Sequence, residues 1–91
     1  VNSREKVLRV LMMAKSAIRH NMKADLPNIT QKTCIIWGED DEITPPSVGH
    51  EFHSEIPNSE LFWIAKCGHA PMIEQPIEFN KILVKWLKKN L

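Results

Sequence analysis

The sequence predicts an α/β fold in which two parallel strands alternate with three helices. Three observations predict it. Apolar residues recur at helical spacing near both ends of the chain. Two short runs rich in β-branched and aromatic residues, TCIIW (33–37) and ELFWIA (60–65), lie between those ends. A helical pattern separates the two runs, and strands joined through a helix lie parallel by a right-handed crossover.

Each element has its own signal. Residues 3 to 20 place Val7, Val10, Leu11, Ala14, Ala17 and Ile18 on one helical stripe. Asn2 is positioned to cap that helix, with Glu5 at capping-box spacing. Residues 21 to 32, NMKADLPNITQK, are polar and broken by Pro27, so they read as a short helical turn and a loop. TCIIW is apolar on both faces, as a buried parallel strand requires. GEDDEITPP is a loop. Residues 46 to 56 form a helix with Val48, Phe52 and Ile56 four apart, ended by Pro57-Asn58. ELFWIA is the second strand, and KCGHAP the loop after it. Pro76 suits the first turn of a last helix whose inner face carries Phe79, Ile82, Leu83, Trp86 and Leu87. Lys85, Lys88 and Lys89 stand near its C-terminus, where positive charge is favoured. No internal repeat or low-complexity linker interrupts this order.

Bulk composition narrows the function classes. A chain of 91 residues suits one domain or a piece of one. At that size folding buries roughly 60–65% of the unfolded surface, which makes a thin core. The net charge is +1, from 12 basic and 11 acidic residues, so nothing favours nucleic acid or an anionic membrane as a partner. No apolar run is long enough to cross a bilayer, and VNSREKVL lacks the apolar core of a signal peptide. Two cysteines, Cys34 and Cys67, are too few for a disulfide scaffold, and a reduced, cytoplasmic setting is expected. The chain begins with Val1 rather than Met, so a processed chain or a segment of a longer one is expected. TCIIW points the same way, because a strand buried on both faces wants neighbours on both edges.

In open parallel sheets chemistry gathers at the carboxyl ends of the strands. Both loops of interest emerge there. A histidine acting as general base needs a carboxylate on its other ring nitrogen to fix its tautomer and stabilise the imidazolium. Asp41 and His69 stand on neighbouring strand ends, 28 positions apart. Gly38 is expected to let the chain leave the first strand sharply, and Gly68 to allow close approach beside the histidine.

WGEDDEITPP followed by SELFWIAKCGHAPMIEQPIEFNKILVKWL resembles the C-terminal part of an α/β-hydrolase. In that family the penultimate core strand ends in a Gly-x-x-Asp turn carrying the triad acid. The last strand is followed by a Gly-His pair carrying the base. The resemblance makes Asp41 the acid and His69 the base, in the family's chain order of nucleophile, acid, histidine. It covers Thr33 to the C-terminus and assigns residues 33–91 to the C-terminal βαβα part of the core. Residues 1–32 become the end of a cap-region helix and a lead-in segment. CGHAPMIE also resembles the hydrolases that cleave ring-fission products of aromatic degradation. The family's G-x-S-x-G nucleophile elbow is absent: the glycines are Gly38, Gly49 and Gly68, and no serine sits at a strand-to-helix elbow. The resemblance therefore implies a longer serine-type hydrolase, acting on a small-molecule ester, amide, thioester or carbon–carbon bond without a cofactor. The 91 residues alone are expected to be inactive.

Each candidate has a plainer reading. His69 would otherwise cap a turn, and Asp41 would cap or brace the loop before the Pro46 helix. Asp40 is the alternative acid, one residue away. Glu39 and Glu42 are expected in solvent, and Glu74 is expected to hold the histidine loop rather than do chemistry. His50 and His53, three apart on a helix, read as surface residues, with a shared metal as the rival. Cys67, two positions from His69, is poorly placed as its nucleophile, and Cys34 is a core residue. Trp37, Trp63 and Trp86 read as core, Trp37 also as a wall of the site. Met72 reads as packing, or as a substrate contact close to His69.

Two functions of different class follow. One is the enzyme segment just described. The other is a non-catalytic truncated paralogue that pairs with another chain through its open sheet edge. In-frame coding sequence upstream of Val1 separates them: a G-x-S-x-G stretch favours the enzyme, a start codon the module. Unpaired edges and apolar strand faces also predict self-association or swapping of the isolated segment.

Overall fold

In a computed structural model the structure describes residues 9–11 and 23–90. The elements are β1 (Arg9–Leu11), a 3₁₀ turn (Lys23–Asn28), β2 (Thr33–Gly38), α1 (Pro46–Glu55), β3 (Ser59–Ile64), α2 (Pro71–Glu74) and α3 (Pro76–Asn90). The strands form one parallel sheet in the order β1-β2-β3. Thr33 pairs with Ser59 and Gly38 with Ile64, so β2 and β3 run flush over six residues and end together. Their two following loops therefore leave the sheet side by side.

The alternation of side chains along β2 builds two cores. Ile35 and Trp37 face one side, packing with Leu26, Ile29, Val48, Phe52 and Ile56 under α1 and the 3₁₀ turn. Cys34 and Ile36 face the other, packing with Ile64, Cys67, Phe79 and Trp86 under α3. All six residues of β2 are buried. That is why TCIIW has no polar face: it is the middle strand, with helices on both sides. Trp37 and Phe52 meet edge to face at 5.7 Å and 87°, an arrangement worth about 0.5–1.5 kcal/mol beyond its buried area. Gly49 belongs to this contact. A β-carbon there would lie 2.9 Å from the Trp37 ring, so α1 rests directly on the indole.

The prolines mark the helix starts. Pro46 and Pro76 open α1 and α3, where a missing N–H is harmless. Two differences from the sequence reading stand out. The sheet has a third strand, Arg9–Leu11, which pairs with Thr33–Ile35 inside the stretch expected to be helix over 3–20. Local periodicity favoured helix there. The strand satisfies the open hydrogen-bonding edge of β2, a long-range demand that periodicity does not record. The rest of 3–20 lies outside the described residues. In addition, a one-turn helix, α2, occupies the second half of the stretch 66–76 that the sequence predicts to be loop. The outer edge of β3 has no strand partner among the described residues. No described helix is long and apolar enough to cross a membrane.

Candidate active site

The site is built where the loop after β2 meets the loop after β3. Their backbones are laced together just past the strand ends. Glu39 N–H donates to the Ile64 carbonyl at 3.0 Å and Asp40 N–H to that of Cys67 at 2.9 Å. Gly38 is the crossing point. A β-carbon on it would come 2.7 Å from the Cys67 carbonyl carbon and collide with the Gly68 oxygen. Gly38 has no positive φ, so it serves close approach rather than the sharp turn expected of it. The left-handed residue is Lys66, at φ 53°, which turns the chain out of β3.

Asp41 is 3% exposed. Its two oxygens have different tasks. Oδ1 accepts the N–H of Ile43 at 3.0 Å and of Thr44 at 2.8 Å, closing an Asx turn that shapes its own loop. Oδ2 lies 3.2 Å from Nδ1 of His69. The Trp37 indole N–H donates to the Thr44 carbonyl at 3.1 Å and pins the far side of the loop to the core. His69 is partly open, with 31% of its side chain exposed against 0% for Asp41. A buried carboxylate thus faces an accessible imidazole.

The histidine loop is fastened from α2. Glu74 accepts the Gly68 N–H through Oε1 and the Ala70 N–H through Oε2, each at 2.9 Å. These bonds, Ala70 first and Gly68 second, hold its carboxyl below the ordinary value of 4.5. The Gln75 amide donates to the Lys66 carbonyl at 2.9 Å.

The remaining candidates fall elsewhere. Asp40 is exposed and contributes its backbone to the lacing; Asp41 is the aspartate at His69. Trp37 has no exposed surface, so its link to the site is the bond to Thr44. Met72 is half-buried against the Phe79–Trp86 core. Cys67 is buried, its Sγ directed to the Gly68 carbonyl at 3.7 Å. Cys34 is fully buried, and burial, then the charge of Glu60, pushes its thiol up to about 12. His50 tilts against Trp63 at 5.0 Å, while His53 Nδ1 meets Ser59 Oγ at 2.9 Å, so the two engage different neighbours. Among the described residues no group of three or more His, Cys, Asp or Glu side chains is arranged to hold a metal. The Trp37–Thr44 bond and the strained Lys66 were not anticipated from sequence. No local pattern marks the first; the abrupt Ala-Lys-Cys-Gly exit from a strand is a faint signal for the second.

With this geometry in place, comparison with known proteins is decisive. A family model described as the alpha/beta hydrolase fold matches residues 11–76. The chain belongs to the α/β-hydrolase fold family. A 2-hydroxy-6-oxononadienedioate/2-hydroxy-6-oxononatrienedioate hydrolase from Pseudomonas sp. is 35% identical over 71 residues, covering 78% of this chain and 25% of that protein. A proline iminopeptidase from Thermoplasma volcanium is 40% identical over 63 residues, covering 69% of this chain and 21% of its own length. Among solved structures, an alpha/beta hydrolase enzyme from a sediment metagenome of the Mar Chica lagoon, Morocco, superposes with a TM-score of 0.76 at 54% identity. It covers 88% of this chain and 36% of its own. The chain thus spans about a quarter of the length of the curated relatives it matches. The α/β-hydrolase fold accounts for the parallel sheet, the helices on its two faces and the meeting of two loops at its carboxyl edge.

Proposed function

We propose that this chain carries the acid and the base of a serine-type catalytic triad, Asp41 and His69, within a longer α/β-hydrolase whose nucleophile lies in residues preceding it. The observation that carries this reading is the 3.2 Å approach of His69 Nδ1 to a buried Asp41 carboxylate. An ionised carboxylate only accepts, so Nδ1 carries the proton and the lone pair resides on Nε2. Nε2 is then the atom that takes the proton of an attacking serine hydroxyl and returns it to the leaving group. Asp41 holds the tautomer and steadies the imidazolium formed in between. In this reading residues 33–91 are the C-terminal part of the catalytic core and residues 1–32 the lead-in from a cap.

The substrate is a small molecule with an ester, amide, thioester or activated carbon–carbon bond. The similarity does not select among these, because one relative is named a 2-hydroxy-6-oxononadienedioate/2-hydroxy-6-oxononatrienedioate hydrolase and another a proline iminopeptidase at comparable identity. Met72, half-buried beside the histidine loop, is assigned to the substrate wall; Trp37, on the other face of the sheet and without exposed surface, is tied to the Asp41 loop through Thr44. The test is to express the whole reading frame that encodes this chain and expose it to a serine-directed fluorophosphonate. Labelling at a G-x-S-x-G serine, abolished by His69→Gln, is the expected result. A frame that starts at Val1, or labelling indifferent to His69, rejects the reading.

One observation favours a second reading. The outer edge of β3 lacks a strand partner among the described residues, which suits an interaction module, or self-association of the segment, through strand addition. Sedimentation of the purified chain as a clean monomer would count against it.

A further inference from the structure

We propose that Glu74 is a positioning residue for His69, a clamp that fixes the backbone on both sides of the imidazole so that the ring meets Asp41. The proposal rests on the acid–base reading of that pair and adds a third residue to it. Glu74 spends its two oxygens separately, Oε1 on the Gly68 N–H and Oε2 on the Ala70 N–H, both at 2.9 Å. These are the residues immediately before and after the histidine. The carboxylate lies flat against Gly68, where a β-carbon would come within 3.1 Å of Oε1 and 3.2 Å of Oε2. A β-carbon at position 68 would press on this carboxylate, which would have to give by a few tenths of an ångström.

Other bonds fasten the rest of the loop. Gln75 holds the Lys66 carbonyl, Asp40 holds that of Cys67, and the Ala70 carbonyl receives the N–H groups of Ile73 and Glu74. The backbone is thus hydrogen-bonded immediately before and immediately after His69. The chemistry requires a carboxylate at this place. Glutamine has one acceptor oxygen, and its amide would turn an N–H toward an N–H donor. Aspartate is one methylene short of reaching both amides. The titratable groups close enough to act on the Glu74 carboxyl are Asp41 and His69. The clamp is held ionised by the two N–H groups it receives, so it operates as a carboxylate at neutral pH.

The experiment is NMR on the ¹⁵N-labelled full chain, with wild type, Glu74→Gln, Glu74→Asp and Asp41→Asn compared well below their unfolding temperatures. Two signals are read: hydrogen exchange at the Gly68 and Ala70 amides, and the downfield Nδ1 proton of His69. Loss of a bond to a charged acceptor should speed exchange by about tenfold or more. Glu74→Gln should do this at one amide or both and weaken the His69 signal. Glu74→Asp should retain one amide at most. Asp41→Asn should remove the His69 signal and leave both amides protected. Unchanged amides in Glu74→Gln overturn the clamp. Faster amides with an intact His69 signal overturn the positioning role, since Glu74 then merely stabilises the loop. A wild-type chain without the His69 signal counts against the acid–base pair itself, and the amides still judge the clamp.

Discussion

Gly38 and Gly68 touch backbone to backbone: a β-carbon on Gly38 would collide with the Gly68 carbonyl oxygen and lie 2.7 Å from the Cys67 carbonyl carbon. The Asp41 loop and the His69 loop are therefore one unit from the first residue past the sheet. Gly38→Ala should force them apart, because neither neighbour is a flexible side chain. A cost of about 1–3 kcal/mol is expected, read as a fall in the denaturant midpoint. The His69–Asp41 contact should be lost with it.

Trp37 ties the Asp41 loop to the core through Thr44. Trp37→Phe removes the indole N–H that serves the Thr44 carbonyl and leaves a cavity beside Phe52. The lost hydrogen bond and the lost volume together should cost about 2–4 kcal/mol. Equilibrium unfolding checks the magnitude.

Acid should release the histidine loop through Glu74. Its carboxyl is held below 4.5 by the Ala70 and Gly68 N–H groups. A group depressed in the folded state contributes stability above its unfolded value and loses it as pH falls through the folded one. The difference in Tm between wild type and Glu74→Gln should be constant from about pH 5.5 to neutrality. It should shrink steadily below 4.5. Melts across that range test the sign.

Neither thiol should react readily in the folded chain. Cys34 is fully buried with its thiol pushed up to about 12, and Cys67 is 1% exposed. A thiol reagent at pH 8 should modify both only as fast as the chain opens, and denaturant should expose two equivalents at once.

Much of the fold was legible because its signals are local. Pro46 and Pro76 mark two helix starts, and the expected strand over 33–37 matches Thr33–Gly38 to within one residue. ELFWIA is shifted by one, since Ala65 already belongs to the turn that Lys66 makes in the left-handed region. The juxtaposition of Asp41 and His69 was legible from two loops on flush parallel strands. What escaped depends on distant partners. Arg9–Leu11 carries helical spacing and yet pairs with β2. Gly38 was expected for its conformational freedom and is needed for clearance. Glu74 was read as a brace, but its grip on both neighbours of His69 appears only once α2 folds the chain back.

On the proposed triad reading, the identity of the acid is tested most directly by turnover of the protein encoded by the whole reading frame, with Asp41→Asn beside Asp40→Asn. The buried carboxylate at His69 predicts that Asp41→Asn binds substrate almost normally and loses turnover on the order of 10⁴-fold, while Asp40→Asn stays near wild type. Full turnover in Asp41→Asn, or the loss falling on Asp40→Asn instead, would contradict it.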